Sequence, residues 1–177
     1  FNEKNSNPNI VFTENSMEIS RAGFIIICVP TPVTQSKEPD LSYIKEAARK
    51  TGQNMREGSV VILESTVYPG VTEEVVKPIL ERESGFTCGK DFKIAYSPER
   101  INPGDKEHSI ADITKVVAGI DEETTNLLAE LYGAITPSIF RAANIRTAEA
   151  AKIIENIQRD LNIALINECA LIFEKMG

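Results

Sequence analysis

The chain has 177 residues, enough to bury a hydrophobic core as one domain or as one domain with an appendage. Acidic residues outnumber basic ones 26 to 19 and no basic block stands out, so nucleic acid is not an expected partner. No apolar run approaches the roughly 18 residues of a membrane span; three widely spaced cysteines and one histidine give neither a disulfide framework nor a zinc site, and a reducing cytoplasm is the expected setting, with no membrane partner and no metal.

The polar opening stretch 1–9 carries no methionine, which reads as a trimmed or excised segment. A short helix is expected over 17–22 and a buried apolar strand over 24–29. Further buried strands are expected over 59–63 and 115–118, with weaker ones over 92–95 and 138–141. Helical stretches fall between them at 41–55, 72–84 and 122–132. Strands that are apolar throughout, alternating with helices, predict an α/β fold: a partial Rossmann-type, mostly parallel, doubly wound sheet covered on both sides.

Such sheets bind ligands beyond the carboxyl ends of their strands, which directs attention to three proline-bearing turns. The first is Val29-Pro30-Thr31-Pro32, either a rigid wall for a flat ring or a plain loop. The second runs from Glu64 through Ser65 and Thr66 to Pro69-Gly70. Its hydroxyls, with the amides of the helix entrance after it, either meet a cofactor phosphate, ribose or water, or simply cap. The third holds Glu99, suited to orient a ligand hydroxyl, and Arg100, suited to pair with an anion; a surface salt bridge explains the two equally simply. No G-x-G-x-x-G fingerprint occurs, so the opening βαβ unit of a nucleotide-binding fold is expected outside the chain.

From Thr147 to Met176 there is neither proline nor glycine, and Ala150, Ile154, Ile157, Leu161, Leu165, Ile172 and Met176 follow helical spacing. The pattern predicts one helix of about 40 Å, with Thr147 as N-cap and Glu149 near the positive end of its dipole. Its length divides the chain into a domain over 1–145 and a connecting helix over 146–177 that reaches another domain or subunit. Lys152, Asn156 and Arg159 fall on one face. A lysine and an asparagine on a rigid scaffold suit the holding of a developing negative oxygen or a water; a solvated face with a Glu149–Lys152 pair is the plainer account.

Taken together, the stretches 28–32, 64–70, 97–108 and 148–168 resemble the UDP-glucose/GDP-mannose dehydrogenase family, nearest its bacterial branch acting on UDP-N-acetyl-D-glucosamine. The resemblance covers nearly the whole chain. It implies oxidation of a sugar C6 alcohol to a carboxylate in two NAD-dependent steps, through an aldehyde-level species held on a cysteine. It implies that Val29, Pro30, Thr31, Pro32, Ser65 and Thr66 line the NAD site, with Thr66 also near the catalytic water. Lys152 would stabilise developing oxygen charge, Asn156 would place the reacting group and water, and Glu99, Arg100, Lys152 and Asn156 would face a UDP-N-acetyl-hexosamine. A homodimer through the terminal helix is implied too. Pro103 stands before Gly104 where the UDP-glucose enzymes place a second glutamate, which bears on substrate class. Cys28 in a buried strand, Cys88 in a surface turn and Cys169 on the helix do not match the family nucleophile, so the segment alone is expected to be inactive. UDP-N-acetylmannosamine or UDP-N-acetylgalactosamine-type substrates remain the alternatives within the family, and a non-enzymatic α/β oligomerisation module the alternative outside it.

Overall fold

A computed structural model describes residues 9–100 and 113–177. Pro103, Gly104 and His108 lie outside the described residues, as does most of the polar opening stretch. In chain order the elements are a 3-10 turn at Ser16–Arg21, β1 (Phe24–Ile27), α1 (Ser42–Asn54), β2 (Val60–Leu63), a π-helical segment Val71–Val76 leading into α2 (Lys77–Ser84), and β3 (Lys93–Tyr96). There follow β4 (Lys115–Gly119), α3 (Glu122–Gly133), β5 (Ile139–Arg141) and α4 (Ile145–Met176).

The strands form one sheet in the order β1-β2-β3-β4-β5, parallel at every pairing except β3 with β4. Because side chains alternate across a strand, β2 feeds two cores. Val61 and Leu63 pack with Ile25, Ile27, Ile44 and Leu80 under α1 and α2, while Val60 and Ile62 pack with Ala95, Val117 and Leu128 under α3. The expected mostly parallel α/β sheet is what the chain forms.

Several details differ from expectation. The first strand stops at Ile27 because the Glu64 amide takes the Ile27 carbonyl as the last rung of the ladder, so Cys28 stands at an exposed position rather than inside a strand. Nor is β1 buried on both faces: Phe24 and Ile26 are 37% and 45% exposed, since α3 covers only the strands beyond it. The expected helix 72–84 is split. Pro78 lacks the N–H that a continuous α ladder needs, and the turn before it relaxes to a π bond from the Lys77 amide to the Thr72 carbonyl.

The terminal helix begins at Ile145, two residues earlier than expected. Asn144, not Thr147, is its cap: the Asn144 side chain accepts from the Thr147 amide at 2.8 Å and the Thr147 hydroxyl at 3.0 Å. Burial of Ile145 and Ala148 in the first core fixes that earlier start. With 32 residues, α4 spans about 48 Å at ~1.5 Å per residue. Only Ile145, Ala148, Glu149 and Lys152 of it are buried, and the remainder leaves the domain with Ile157, Leu161, Leu165 and Ile172 exposed.

Candidate functional site

The parallel run β1–β3 places three post-strand turns side by side. The backbones of the first two are tied together by hydroxyls: Ser65 Oγ donates to the Val29 carbonyl at 2.6 Å, and Thr31 Oγ1 donates to the Thr66 carbonyl at 2.8 Å. Between the turns lies an open cleft of about 420 Å³. Cys28, Val29, Pro30 and Thr31 form one side, Glu64, Ser65 and Thr66 the other, and Glu99 the third.

The floor at this edge is a polar cluster made possible by the reversal of β4. An antiparallel β4 brings its first residue, Lys115, to the edge where β1–β3 end. Lys115 Nζ donates to Glu64 Oε1 at 2.9 Å and lies 4.8 Å from the centre of the Tyr132 ring. The Tyr132 hydroxyl donates to the same Glu64 oxygen at 2.5 Å. Burial first, and then the Glu64 carboxylate it serves, push the Tyr132 phenol well above its ordinary range. Cys28 Sγ approaches Glu64 Oε2 at 3.5 Å. Partial desolvation of its sulfur, followed by that carboxylate, pushes the Cys28 thiol up to about 11, which keeps it protonated and poorly nucleophilic at neutral pH.

Of the residues expected to face a cofactor, Val29, Pro30, Thr31, Ser65 and Thr66 line the cleft. Pro32 does not: it is exposed, and its carbonyl accepts the Asp40 amide at 2.8 Å. Arg100 reaches across to the long helix, its Nη1 lying 2.6 Å from Glu155 Oε2, so its charge is committed within the protein. Lys152 is 8% exposed, and Asn156, one turn further along α4, is half-buried. Burial first lowers the Lys152 pKa; Glu155 pulls it up, Arg100 and Arg159 lower it further, and Glu99 raises it. A partly desolvated ammonium thus lies within electrostatic reach of Glu99, Arg100, Glu155 and Arg159.

The expected solvated Glu149–Lys152 face is not what the structure shows. Glu149 is fully buried and accepts from the Gly70 amide at 2.5 Å and the Thr72 amide at 2.9 Å. That corrects a second expectation, because the Gly70 and Thr72 amides of this helix entrance are already taken by a carboxylate and are not offered to a phosphate.

These residues fit one end of a nicotinamide dinucleotide. Glu64 and Glu99 would repel a phosphate but accept hydrogen bonds from ribose hydroxyls or a carboxamide, while Val29 and Pro30 give an apolar wall for a flat ring. Sequence reasoning missed Lys115 and Tyr132, and it left Glu64 without a role. A carboxylate directly after four apolar strand residues was the available signal for Glu64; its lysine partner, 51 residues away, had none.

A mostly parallel sheet with such a cleft at its strand ends defines an NAD-binding domain of the dehydrogenase kind. The chain belongs to the UDP-glucose/GDP-mannose dehydrogenase family: that family's NAD binding domain matches residues 2–136 and its central domain residues 146–177. Protein CapL of Staphylococcus aureus is 49% identical over 98% of the chain and 41% of its own length. A UDP-N-acetyl-D-glucosamine 6-dehydrogenase of Pseudomonas aeruginosa is 50% identical over 94% of the chain and 40% of its own length. Among solved structures, a UDP-D-ManNAc dehydrogenase from Pyrococcus horikoshii superposes with a TM-score of 0.86 at 38% identity, covering 93% of the chain and 39% of that protein. The chain therefore spans about 40% of the length of these relatives.

Proposed function

We propose that the chain forms the cofactor-side wall of a UDP-N-acetyl-D-glucosamine 6-dehydrogenase that makes the sugar acid for surface polysaccharide. The observation that carries the reading is Lys152, withdrawn from water beside Glu99 and Arg100, with Asn156 next along the same face. Bound NAD supplies the hydride acceptor for C6. Hydride departure requires loss of the C6 hydroxyl proton to a water or base as well; that proton loss places negative charge on the C6 oxygen, and the Lys152 ammonium is a donor for it in a site of low dielectric. Asn156 holds the reacting group and a water, Thr66 contributes from the opposite turn, and Glu99 accepts from a sugar hydroxyl. Arg100 acts on substrate only through Glu155, which orients it. Pro32 keeps its turn rigid without touching the ligand.

The choice of sugar is supported by relatives named for UDP-N-acetyl-D-glucosamine at 50% and 48% identity, against 37% for one named for the mannosamine sugar. The test is a panel of UDP-N-acetyl-hexosamines given to the full-length dehydrogenase carrying this segment, counting NADH and acid. We expect about two NADH per acid formed, fastest with the glucosamine sugar, and no turnover by the segment alone. One NADH per sugar refutes the two-step oxidation, and preference for the mannosamine or galactosamine sugar refutes the branch.

Self-association through α4 in the cytoplasm belongs to the same proposal, supported by Ile157 and Leu161 at 53% and 63% exposure on a helix that leaves the domain. Replacing both by glutamate should halve the sedimenting mass of the full-length enzyme. An unchanged mass removes α4 from the interface.

A further inference from the structure

Glu149 is a charged side chain wholly withdrawn from solvent, and its hydrogen bonds join two elements that are distant in sequence. Oε2 accepts the Gly70 amide at 2.5 Å, while Oε1 accepts the Thr72 amide at 2.9 Å and the Thr72 hydroxyl at 2.6 Å. Gly70 is the cap position of the helical run after β2, and it offers no side chain to cap with. Its φ of +102° favours glycine there. The cap is supplied instead from α4: a carboxylate meets the positive end of another helix and satisfies its orphan amides.

The position of this cap in the two segments matters. Thr66 lies four residues before Gly70, on the turn that lines the cleft, and Lys152 lies one helical turn beyond Glu149. Other ties between the same segments are weaker. Arg146 meets Glu74 at 2.7 Å, but both side chains are about 60% exposed, and such pairs are screened. Arg100–Glu155 ties α4 to the turn after β3 and not to this one.

We infer that Glu149 is a positioning residue for the proposed oxidation: by capping the helix after β2 from within α4, it fixes the start of α4, and with it Lys152, relative to the turn that carries Thr66. The inference rests on the dehydrogenase reading above. Glu149→Gln keeps one acceptor for Thr72 but turns an NH₂ toward the Gly70 N–H, donor against donor, so the two segments must shift apart. Glu149→Asp keeps the charge with a shorter reach.

The test uses the full-length dehydrogenase, with melting, NAD affinity, kcat and KM measured on each variant. Glu149→Gln should fold, bind NAD within about threefold of wild type, and lose roughly 10–100-fold in kcat, the scale of a misplacement near 1 Å. Glu149→Asp should recover part of that loss. A folded Glu149→Gln with kcat within twofold of wild type overturns the inference, and so does an equal fall in kcat and NAD affinity, which marks a general loss of structure. If Glu149→Gln does not fold, Thr72→Val decides. It removes the hydroxyl donor and keeps both amides: a severalfold fall in kcat at unchanged NAD affinity supports positioning, and an unchanged kcat overturns it. A wild-type enzyme that oxidises no UDP-N-acetyl-hexosamine overturns the functional reading together with this one, whereas an active enzyme indifferent to Glu149 overturns this one alone.

Discussion

Lys152→Ala in the full-length dehydrogenase is expected to lower kcat by about 10²–10³-fold, the usual loss when one donor to a developing oxyanion is removed, with little change in NAD affinity. The reason lies in where the ammonium sits. At 8% exposure it has little water to screen it, so in the proposed role its charge would act more strongly on the sugar oxygen than a surface lysine's. The same burial makes the charge easier to lose. Desolvation, with Arg100 and Arg159 adding to it against the pull of Glu155 and Glu99, lowers the Lys152 pKa from the ordinary 10.5. Activity needs the protonated form, so the alkaline limb of kcat should fall below pH 10.5. The stability consequence has the opposite sense: folding disfavours the charged form, and this penalty is present at low pH and relieved as pH rises through the lowered folded value toward 10.5. Lys152→Arg should push the alkaline limb out of range while keeping only part of the rate, because the planar guanidinium presents its donors in a different geometry. A Lys152→Ala enzyme with kcat within threefold of wild type would remove Lys152 from the chemistry.

The parts of this site that were legible in the sequence are those set by local pattern. Apolar runs marked the strands, and proline-bearing turns marked their ends, so Val29, Pro30, Thr31, Ser65 and Thr66 were found where the cleft is. What was not legible depended on contacts between segments. The run Lys115–Gly119 reads the same in either direction, so nothing local told that β4 is antiparallel and delivers Lys115, not the residues after Gly119, to the cleft edge. Asn144 and Thr147 are both plausible caps, and burial of Ile145 decided between them. Glu149 read as a partner of its own helix dipole or of Lys152, and only the amides of the Gly70 turn packed against α4 explain its burial. Pro78, inside the expected helix 72–84, was the available signal for its split, and the π turn before it is the result.

The second large effect concerns stability. Lys115→Met should cost about 3–5 kcal/mol, the range for removing one partner of a buried ion pair, read as a lower urea midpoint at unchanged slope. Side-chain exposures of 8% for Lys115 and 14% for Glu64 put the pair where water cannot easily replace a lost partner. Methionine fills the volume of the lysine stem, so the loss measures charge and not a cavity. Glu64 would keep the Tyr132 hydroxyl and the weak contact from Cys28, but both are neutral donors, worth roughly half as much as a charged one. The double variant Lys115→Met, Glu64→Leu should recover most of the loss, because an apolar replacement of a whole buried pair is often neutral. A cost that simply adds across the two single variants would mean that they do not interact, and the 2.9 Å contact would then contribute nothing to the fold. Recovery of stability should come without recovery of function. Leucine at position 64 takes from the cleft floor a carboxylate that would accept from ribose or carboxamide, so NAD affinity should fall in the double variant even as its urea midpoint returns toward wild type.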